Sequence, residues 1–446
     1  MTDAPIDSGN ALRQVAIIGG GYAGMAAAMT LAEAGIRTCV YETAKVLGGR
    51  ARRIDYRDEI LDNGQHILSG AYSETCRLMA LAGVAENALQ RVPLRLDIPP
   101  HFSLRAPRLF APLQLAWALL SARGLSMADR IAAIRFMRAL KGANFRVDEK
   151  LTVDQLLKQH WQPENLIRYL WQPLTVSALN TPVAIASAQV FANVLRDSLS
   201  SSRDKSDLLL PQADLTSLFP DAASQYVECH GGETKCGVRV KRVAAIDKTF
   251  AVVSDTGAFT FDAVILAIGP HQFDSISLPP NCAPTAPFSY EPIVTIYFKF
   301  DRLVRLPYPM LGRATGNAQW FFDRRLLSID ATTRARNDGL IAAVISASGP
   351  HEALSQEELA ALVLAELTQV TGPLPPLVWQ KVVTEKFATF SCVPSIQALR
   401  PDHATGTPGV YLAGDYTAGD YPATIEGAVR SGISAARHAA TLLRNK

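Results

Sequence analysis

Polar residues interrupt an otherwise apolar stretch of the sequence, LDNGQHILSGAY, at Asp62, Asn63, Gln65 and His66. A carboxyl group close to an imidazole can donate or accept protons during a reaction. A carboxyl group in a dry site can also have a raised pKa and stay protonated, which suits a proton donor. Asp62 and His66 are therefore candidate catalytic residues. The alternatives are a simple turn, or a local hydrogen-bond network around His66 with no chemical role.

A second set of residues could bind phosphate groups. Gly19, Gly21 and Gly24 form the pattern GxGxxG, and Glu42 follows at the spacing expected for an acid that binds a ribose hydroxyl. The first glycine permits a tight turn, the second lets the backbone approach a pyrophosphate, and the third lets a helix pack close to a strand. This pattern predicts a dinucleotide site, whereas the plainer interpretation is a glycine-rich turn in an ordinary α/β core.

The elements that would position these residues can be predicted from the sequence. The apolar run Val15–Ile18 precedes the glycines as a buried parallel strand, an Ala-rich helix ends near Gly35, and RTCVYE forms the next strand. Residues 236–270 alternate and contain turn signals, as in a β-meander that leads into a buried strand. The last segment, residues 409–443, reads as strand, loop and helix. The fold class predicted is α/β.

The composition excludes several classes of protein. The 446 residues are 48% hydrophobic and 19% charged, which is typical of a folded chain with two or three packed regions. A net charge of +3 without a long basic run argues against a nucleic-acid partner. The six cysteines form no CxxC pair, and no metal-binding motif is present. The start, MTDAPIDSGN, does not match a signal peptide, so we expect a cytoplasmic protein.

Two further segments decide between NAD and FAD. They are LGGR at residues 47–50 and VYLAGDYTAGDYPATIEGAVRSG at residues 410–432. Together they resemble the extended FAD fingerprint of the amine oxidase and phytoene desaturase group of flavoproteins. The resemblance implies FAD as the cofactor. We expect it to be non-covalent, because the spacing of Cys392 from the terminal motif is looser than that of the cysteine that tethers flavin in some amine oxidases.

The resemblance also implies roles for residues that would meet the phosphates. Gly49 would allow close backbone approach, and Arg50 would place a positive charge near a phosphate. Gly414 and Asp415 match the positions that approach the pyrophosphate and the ribityl chain in this group of flavoproteins. The two motifs would then hold the same part of the cofactor from opposite ends of the chain.

Other matched positions concern the two ring systems of the cofactor. The helix that starts near Thr424 and Ile425 would aim its N-terminus at the flavin, where reduced flavin carries negative charge. Gly64 lies in an element that runs along the flavin ring in this group, and it would permit close backbone approach. Val243 matches the position whose backbone meets the adenine. The opening stretch is thus interpreted as a wall of the flavin site.

The same resemblance implies a two-domain oxidoreductase. Residues 1–90, 226–285 and 385–446 would form a discontinuous, Rossmann-like FAD domain. Residues 91–225 and 286–384 would form a substrate domain that combines a mixed sheet with helices. We expect the substrate tunnel to end at the flavin.

Three longer segments resemble one subfamily more specifically. They are LDNGQHILSGAYSETCRLM, residues 171–197 and residues 208–232. All three are similar to the squalene-associated FAD-dependent desaturases, interpreted as hydroxysqualene dehydroxylases of bacterial hopanoid synthesis. The resemblance implies reductive removal of an allylic hydroxyl group to give squalene, with a long apolar isoprenoid as substrate and an unidentified donor of electrons for the flavin. Asp62 and His66 would then be the candidate acids.

Three alternatives remain open from the sequence. A carotenoid-type desaturase would use the same parts in the opposite direction, because the motifs do not specify where the electrons go. An amine oxidase often has an aromatic cage at the flavin, but the position before Ile425 is Thr424. A non-enzymatic, prenyl-binding escort protein would share the fold, although the intact Glu42, Arg50 and Asp415 argue against it.

Residues 105–140 form a separate feature. The run LFAPLQLAWALLSA is too short to span a bilayer, but it suits a partly inserted helix whose arginine neighbours meet anionic headgroups. We therefore expect contact with the inner face of the cytoplasmic membrane. The alternative is an ordinary buried helix of the substrate domain.

Overall fold

The structure is a computed structural model that describes residues 13–110, 113–199, 202–328 and 331–445. The acidic start of the chain, interpreted above as unlike a signal peptide, lies outside the described residues. Strands β1 to β20 follow in chain order: Gln14–Ile18, Arg37–Glu42, Arg53–Tyr56, Glu59–Asp62, Leu68–Ser69, Leu89–Val92, Arg95–Ile98, Phe102–Arg105, Leu208–Pro211, Glu233–Cys236, Val240–Ile246, Thr249–Ser254, Gly257–Phe261, Ala263–Leu266, Tyr290–Phe300, Met310–Gly312, Trp320–Asp323, Leu340–Ser346, Leu377–Phe390 and Val410–Leu412.

Helices occupy much of the remaining chain. In chain order, α1 to α13 are Tyr22–Glu33, Ser73–Leu81, Leu113–Ser121, Met127–Gly142, Val153–Gln159, Glu164–Leu166, Gln172–Leu179, Ala188–Leu199, Leu215–Leu218, Pro220–Cys229, Ala331–Arg336, Gln356–Thr371 and Ile425–Arg444. Among the described residues, these helices include none that is long and apolar enough to cross a membrane.

A five-stranded parallel sheet carries the glycine motif. Its order is β10-β2-β1-β14-β20, and every pairing in it is parallel. Alternate residues of β1 face opposite sides: Val15 and Ile17 pack with α1 and α13, whereas Ala16 and Ile18 pack towards the β11-β12-β13 meander. Both faces are covered, which is why the strand is a continuous apolar run. The α/β fold class and the predicted meander are confirmed.

A second five-stranded sheet is separate from the parallel sheet. It is antiparallel, with the order β16-β17-β18-β15-β19. Helix α12 covers one face, where Ile296 and Phe298 meet Val363 and Leu367. The opposite face carries Tyr297, which packs in the same apolar cluster as Leu61 of β4. This sheet therefore packs behind the start of the stretch LDNGQHILSGAY, residues 61–72.

Helices α4 to α8 form a third packed region. Phe136, Trp171 and Phe191 stack edge to face in its core. Residues Ile167–Trp171 form a π-helical turn, in which Gln172 N–H donates to the carbonyl of Ile167, five residues back. Pro173 follows at once, and it has no N–H to donate and would crowd the carbonyl four residues earlier in a regular helix. The wider turn lets the chain continue as α7.

The region between residues 91 and 148 combines strands with helices. It begins with the β7-β8 hairpin, and the helical part is divided into α3 and α4. The break lies at Gly124, whose φ is +86° and where a Cβ atom would lie 1.9 Å from the carbonyl oxygen of His101. Ser126 then starts α4 with a capping box, in which Ser126 and Asp129 exchange hydrogen bonds.

Candidate functional site

The glycine motif forms a narrow turn at the carboxyl end of β1. Gly19 has a φ of +111°, and a Cβ atom there would lie 2.4 Å from the carbonyl oxygen of Ala267. At Gly24 a Cβ atom would lie 1.9 Å from the carbonyl oxygen of Gly19. Only glycine at this position therefore lets the start of α1 come this close to the turn after β1. A Cβ atom at Gly21 would meet no atom closer than 3.8 Å, the Cα atom of Gly49, and Gly21 lines a large cavity. This is a cradle that a pyrophosphate fits, with helix N–H groups at its edge.

Glu42 ends β2 beside this cradle. Its carboxylate accepts hydrogen bonds from Gly20 N–H at 2.7 Å and Ala44 N–H at 2.8 Å, and it lines the same cavity. These two bonds fix the carboxylate in place and leave oxygen lone pairs for hydroxyl donors. The geometry is that of a ribose-binding acid at the end of the second strand of a βαβ unit.

Val243, matched above to the adenine contact, is not among the residues that line the cavity. Val243 is buried, and its N–H donates to the carbonyl of Ser277, so this donor is already used inside the meander. The residues that line the cavity near Glu42 are Val238, Arg239 and Val240. The chain leaves β10 next to Glu42, where Val238 N–H donates to the Glu42 carbonyl, and it enters the meander only afterwards.

The two motifs predicted to contact phosphates meet directly. Arg50 Nη2 lies 2.6 Å from a carboxylate oxygen of Asp415, and Arg50 Nη1 donates to the carbonyl of Ala388 at 2.8 Å. Gly49, Arg50, Gly414 and Asp415 all line the cavity. The Arg50 side chain keeps 37% of its surface exposed, facing this space, whereas that of Asp415 keeps 6%. Arg50 thus orients Asp415 and still presents positive charge to the cavity.

The C-terminal helix points its first turn into the cavity. Thr424 caps α13 by accepting a hydrogen bond from Gly427 N–H at 3.1 Å, and Thr424 and Ile425 line the cavity. Glu426 is fully buried and accepts hydrogen bonds from Thr75 N–H and the Thr75 hydroxyl, at 2.9 and 2.7 Å. Helix α13 is therefore anchored on α2, with its positive end facing the cavity.

Arg400 fixes the loop between β20 and α13, and sequence analysis did not find it. It is buried, and it donates to the carbonyl oxygens of Asp415, Thr417, Gly419 and Tyr421 at 2.6 to 3.0 Å. One guanidinium thus satisfies four backbone acceptors of the loop that carries Asp415. The partners are main-chain atoms, which leave no mark on the sequence around Arg400.

Part of the stretch LDNGQHILSGAY, residues 61–72, forms a section of the cavity wall. Asn63, Gly64, Gln65 and His66 line the cavity. Gly64 has a φ of +118°, which an L side chain rarely adopts. Asn63 is held by hydrogen bonds from its amide nitrogen to the Arg50 carbonyl and to Glu385, another lining residue. The wall is therefore connected to the phosphate motif.

Asp62 lies behind this wall. Its carboxylate accepts a hydrogen bond from Leu215 N–H at 2.9 Å and lies 3.2 Å from Nη1 of Arg324. The same Arg324 nitrogen donates to the side-chain oxygen of Gln65 at 2.8 Å. Burial raises the pKa of Asp62, against the opposing effects of Arg324 and the Leu215 N–H. Sequence analysis missed Arg324, which connects the buried carboxylate to the cavity wall.

The imidazole of His66 is directly at the cavity. Its Nδ1 lies 2.8 Å from the carbonyl oxygen of Gly64, so this nitrogen carries a proton and Nε2 remains for another partner. Burial lowers the pKa of His66, although the Gly64 carbonyl and Asp62 act in the opposite direction. A histidine with a lowered pKa is neutral at pH 7, and its protonated form is a stronger acid than an ordinary imidazolium.

The cavity has a volume of about 820 Å³ and joins the cradle to an apolar region. Helices α7 and α8 and the second sheet supply most of the apolar lining, which includes Leu174, Ala178, Phe191, Leu195, Trp320, Phe322 and Val344. A ligand with a long hydrocarbon part would be dehydrated there, while a nucleotide part could occupy the polar end.

Cys392, compared above with a flavin-tethering cysteine, and Lys299 both have other partners in the structure. Cys392 is fully buried in the core, its N–H donates to the Thr181 hydroxyl, and burial raises the pKa of its thiol to about 12. Such a thiol is inert rather than nucleophilic. Lys299 forms an ion pair with Glu59 at 2.8 Å on β15, which is an inner strand of the second sheet.

The family model for flavin containing amine oxidoreductases matches residues 22–440. The chain belongs to this family. Proteins of the flavin containing amine oxidoreductase family are flavin-dependent oxidoreductases, and the cradle, Glu42 and the capped α13 are the parts that such a cofactor needs here. The chain is accordingly a flavin-dependent oxidoreductase.

Individual relatives narrow the comparison. Proteins named hydroxysqualene dehydroxylase from Sinorhizobium fredii and Zymomonas mobilis are each 28% identical to this chain. The alignments cover 95% and 94% of this chain and 97% of each relative. The subfamily resemblance that the sequence suggested is thus confirmed. A solved oxidoreductase from Methanosarcina mazei has a TM-score of 0.70 with 16% identity, over 94% of this chain and 99% of that one, which confirms the fold.

Proposed function

We propose that this member of the flavin containing amine oxidoreductase family removes the hydroxyl group of hydroxysqualene to give squalene, with non-covalent FAD as its cofactor. The observation that carries the proposal is the single cavity that joins the dinucleotide cradle to an apolar region, with His66 and Gln65 in its wall. The names of the two relatives at 28% identity support the choice of substrate.

The residues that would hold FAD come from three parts of the chain. Gly19, Gly21 and Glu42 would take the ADP half, with Val238–Val240 beside the adenine. Gly49, Arg50, Gly414 and Asp415 would hold the pyrophosphate and ribityl chain, and Thr424 and Ile425 would meet the flavin ring. Reduced FAD supplies the hydride that the reaction needs, and the positive end of α13 stabilises negative charge on the ring.

The reaction also needs a proton, because hydroxide is a poor leaving group. The balance is hydroxysqualene plus reduced FAD giving squalene, water and FAD, so an external donor must return two electrons to the FAD in each cycle. Of the two candidate acids, His66 lines the cavity and Asp62 lies behind it. We assign proton donation to His66, whose imidazolium form is a strong acid because burial lowers its pKa.

The remaining wall prevents side reactions and positions the substrate. Loss of water from an allylic alcohol leaves a delocalised cation, and water would capture it in an open site. Phe191, Leu195, Phe322 and Val344 exclude water along the hydrocarbon chain. Gln65 is fixed by Arg324, so its amide group can orient the departing hydroxyl.

We place the protein in the cytoplasm, a location that its six free thiols support.

An anaerobic reaction tests the proposal. The FAD-loaded protein is photoreduced and mixed with hydroxysqualene, and flavin absorbance and extracted lipids are followed together. Reoxidation with squalene as product is expected. A flavin that stays reduced would rule the reaction out, and oxidised protein should then be tried with a more saturated isoprenoid, which a desaturase would convert. Failure to take up FAD at all would favour an escort role instead.

A further inference from the structure

Helix α3 has its apolar residues on the outside. Leu113, Trp117 and Leu120 are 49%, 58% and 46% exposed, and their spacing places them on one helical face. The buried face contains Gln114 and Ala118, at 2% and 1% exposure. A helix at the surface of a soluble domain normally buries its large apolar residues and exposes its polar ones. This arrangement is inverted.

The apolar surface continues beyond α3 in both directions. Gln114 N–H donates to the carbonyl of Phe110, which places Phe110 one turn earlier, and its side chain is 70% exposed. At the start of α4, Met127 and Ile131 are 58% and 45% exposed and one turn apart. The α3–α4 surface is defined by these residues: Phe110, Leu113, Trp117, Leu120, Met127 and Ile131. Several large apolar side chains exposed within one short segment mark a candidate interaction site.

Within residues 105–141 the exposed charged side chains are all basic. Between residues 105 and 141 the acidic side chains are limited to Asp129, which is 5% exposed and caps α4. The basic residues with exposed side chains in the same segment are Arg105, Arg108, Arg123, Arg135, Arg138 and Lys141. An apolar face bordered by cations is complementary to the interface of an anionic bilayer, where acyl chains lie below negative headgroups.

The same helix is attached to the wall of the cavity. The side-chain amide of Gln114 donates to the Ser206 hydroxyl at 2.7 Å, and Ser206 lines the cavity together with Leu199 and Leu208. The polar residue that α3 buries is therefore the one that fixes the helix beside the apolar region of the site. Whatever covers the exposed face of α3 lies close to this wall.

We propose that the α3–α4 surface docks this chain on an anionic lipid bilayer, with Trp117 and its apolar neighbours in the acyl-chain boundary and the basic residues at the headgroups. Docking places the cavity wall next to the phase in which a long isoprenoid dissolves. That delivery role rests on the substrate proposed above, whereas the docking itself does not.

Flotation of the full-length, FAD-loaded protein with lipid vesicles tests the docking. The protein should float with vesicles of phosphatidylcholine mixed with phosphatidylglycerol, and less with phosphatidylcholine alone or at high salt. Trp117→Asp should lower the bound fraction at least tenfold. Leu362→Asp is the matched control, because Leu362 is 46% exposed on α12, and it should bind as the unchanged protein does.

A second variant protects the test from misfolding. Arg123→Glu combined with Arg138→Glu leaves every apolar side chain in place, and it should also reduce flotation at least tenfold; the FAD spectrum of each variant reports its folding. If the unchanged protein does not float, or if Trp117→Asp floats equally well, the proposal is wrong. It is also wrong if light scattering shows a dimer that Trp117→Asp dissociates while vesicles are ignored, because a second copy then covers this face.

The docking and the catalytic proposals can fail separately. Turnover of detergent-dispersed hydroxysqualene should be the same for Trp117→Asp and the unchanged protein, since the variant removes only lipid contact. Flotation without turnover would support the docking surface and reject the proposed substrate. Turnover without flotation would support the substrate and reject the docking surface.

Discussion

The guanidinium of Arg50 lies 2.6 Å from the carboxylate of Asp415, so two motifs that are 365 positions apart in sequence meet in one ion pair. Asp415 is nearly buried, and the pair closes the cavity at the place proposed for the pyrophosphate. Each partner therefore stabilises the other and prepares the site for the cofactor.

Arg50→Met should weaken both the fold and FAD binding. It leaves the Asp415 carboxylate without its partner, which costs about 1–2 kcal/mol after allowance for the partial exposure of Arg50. Loss of the charge at the phosphates should lower FAD affinity at least tenfold, measured by titration of the apoprotein. Arg302→Met, on an arginine that is 75% exposed, is the control and should change neither quantity.

Arg400→Met should release the loop between β20 and α13. Four carbonyl oxygens lose a charged donor, and we expect a loss of about 2–4 kcal/mol in the free energy of unfolding, measured by urea denaturation. Arg400→Lys keeps the charge but cannot reach all four oxygens. Its free energy of unfolding should therefore lie between those of the unchanged protein and Arg400→Met. Equal stability of all three proteins would contradict the role given to Arg400.

Gly24→Ala tests the close approach of α1 to β1. A Cβ atom there would lie 1.9 Å from the carbonyl oxygen of Gly19, and overpacking of this kind costs about 1–3 kcal/mol. FAD binding should be lost or greatly weakened, because the cradle must widen. Gly142→Ala adds the same methyl group near the end of α4, where no atom lies within 4 Å, and should be neutral or slightly stabilising by thermal unfolding.

Ala178→Phe tests the apolar part of the cavity. Its side chain lines the cavity from α7, so a phenyl ring there should obstruct a hydrocarbon chain while the cradle stays intact. We expect kcat/KM to fall tenfold or more with an unchanged flavin spectrum. Ala361→Phe, at an exposed position of α12, should have normal kinetics, and normal kinetics for Ala178→Phe as well would place the substrate elsewhere.

The pH dependence of turnover tests His66. Its pKa lies below the ordinary value of 6.5, so the imidazolium fraction falls about tenfold for each unit of pH above that pKa. If this form donates the proton, turnover should rise as the pH is lowered towards 6 and fall as it is raised. His66→Ala should remove this slope and most of the activity with FAD still bound. The assignment to His66 fails if His66→Ala keeps full turnover, and full turnover of Asp62→Asn as well would exclude both candidate acids.

The parts of the fold that were predictable are those encoded by neighbouring residues. Val15–Ile18 is a continuous apolar run because β1 is covered on both faces, and the glycines follow because α1 must approach this strand. Local spacing is enough to recognise both features. The same holds for the turn residues that separate β11, β12 and β13.

The parts that were missed depend on distant partners. Arg324 reaches Asp62 from 262 positions away, and Arg400 contacts main-chain oxygens that any sequence would supply. Val243 lies inside the meander, whereas the cavity beside Glu42 is lined by Val238, Arg239 and Val240, because the chain passes Glu42 before the meander begins. The exposed face of α3 could be suspected from composition, but only the structure shows that Gln114 is buried and Trp117 is not.

The contact between α1 and α13 affects how the protein folds during its synthesis. Gly432 lets the two helices touch, since a Cβ atom there would lie 2.1 Å from the carbonyl oxygen of Ala23, and Val429, Ile433 and Ala436 cover the face of the parallel sheet beside α1. During translation the face of α1 and β1 that α13 covers therefore stays open to solvent until α13 has left the ribosome. Thr424, Ile425 and Ala428 line the cavity, so a chain that stops before α13 lacks this part of the wall, and we expect it to lose flavin binding.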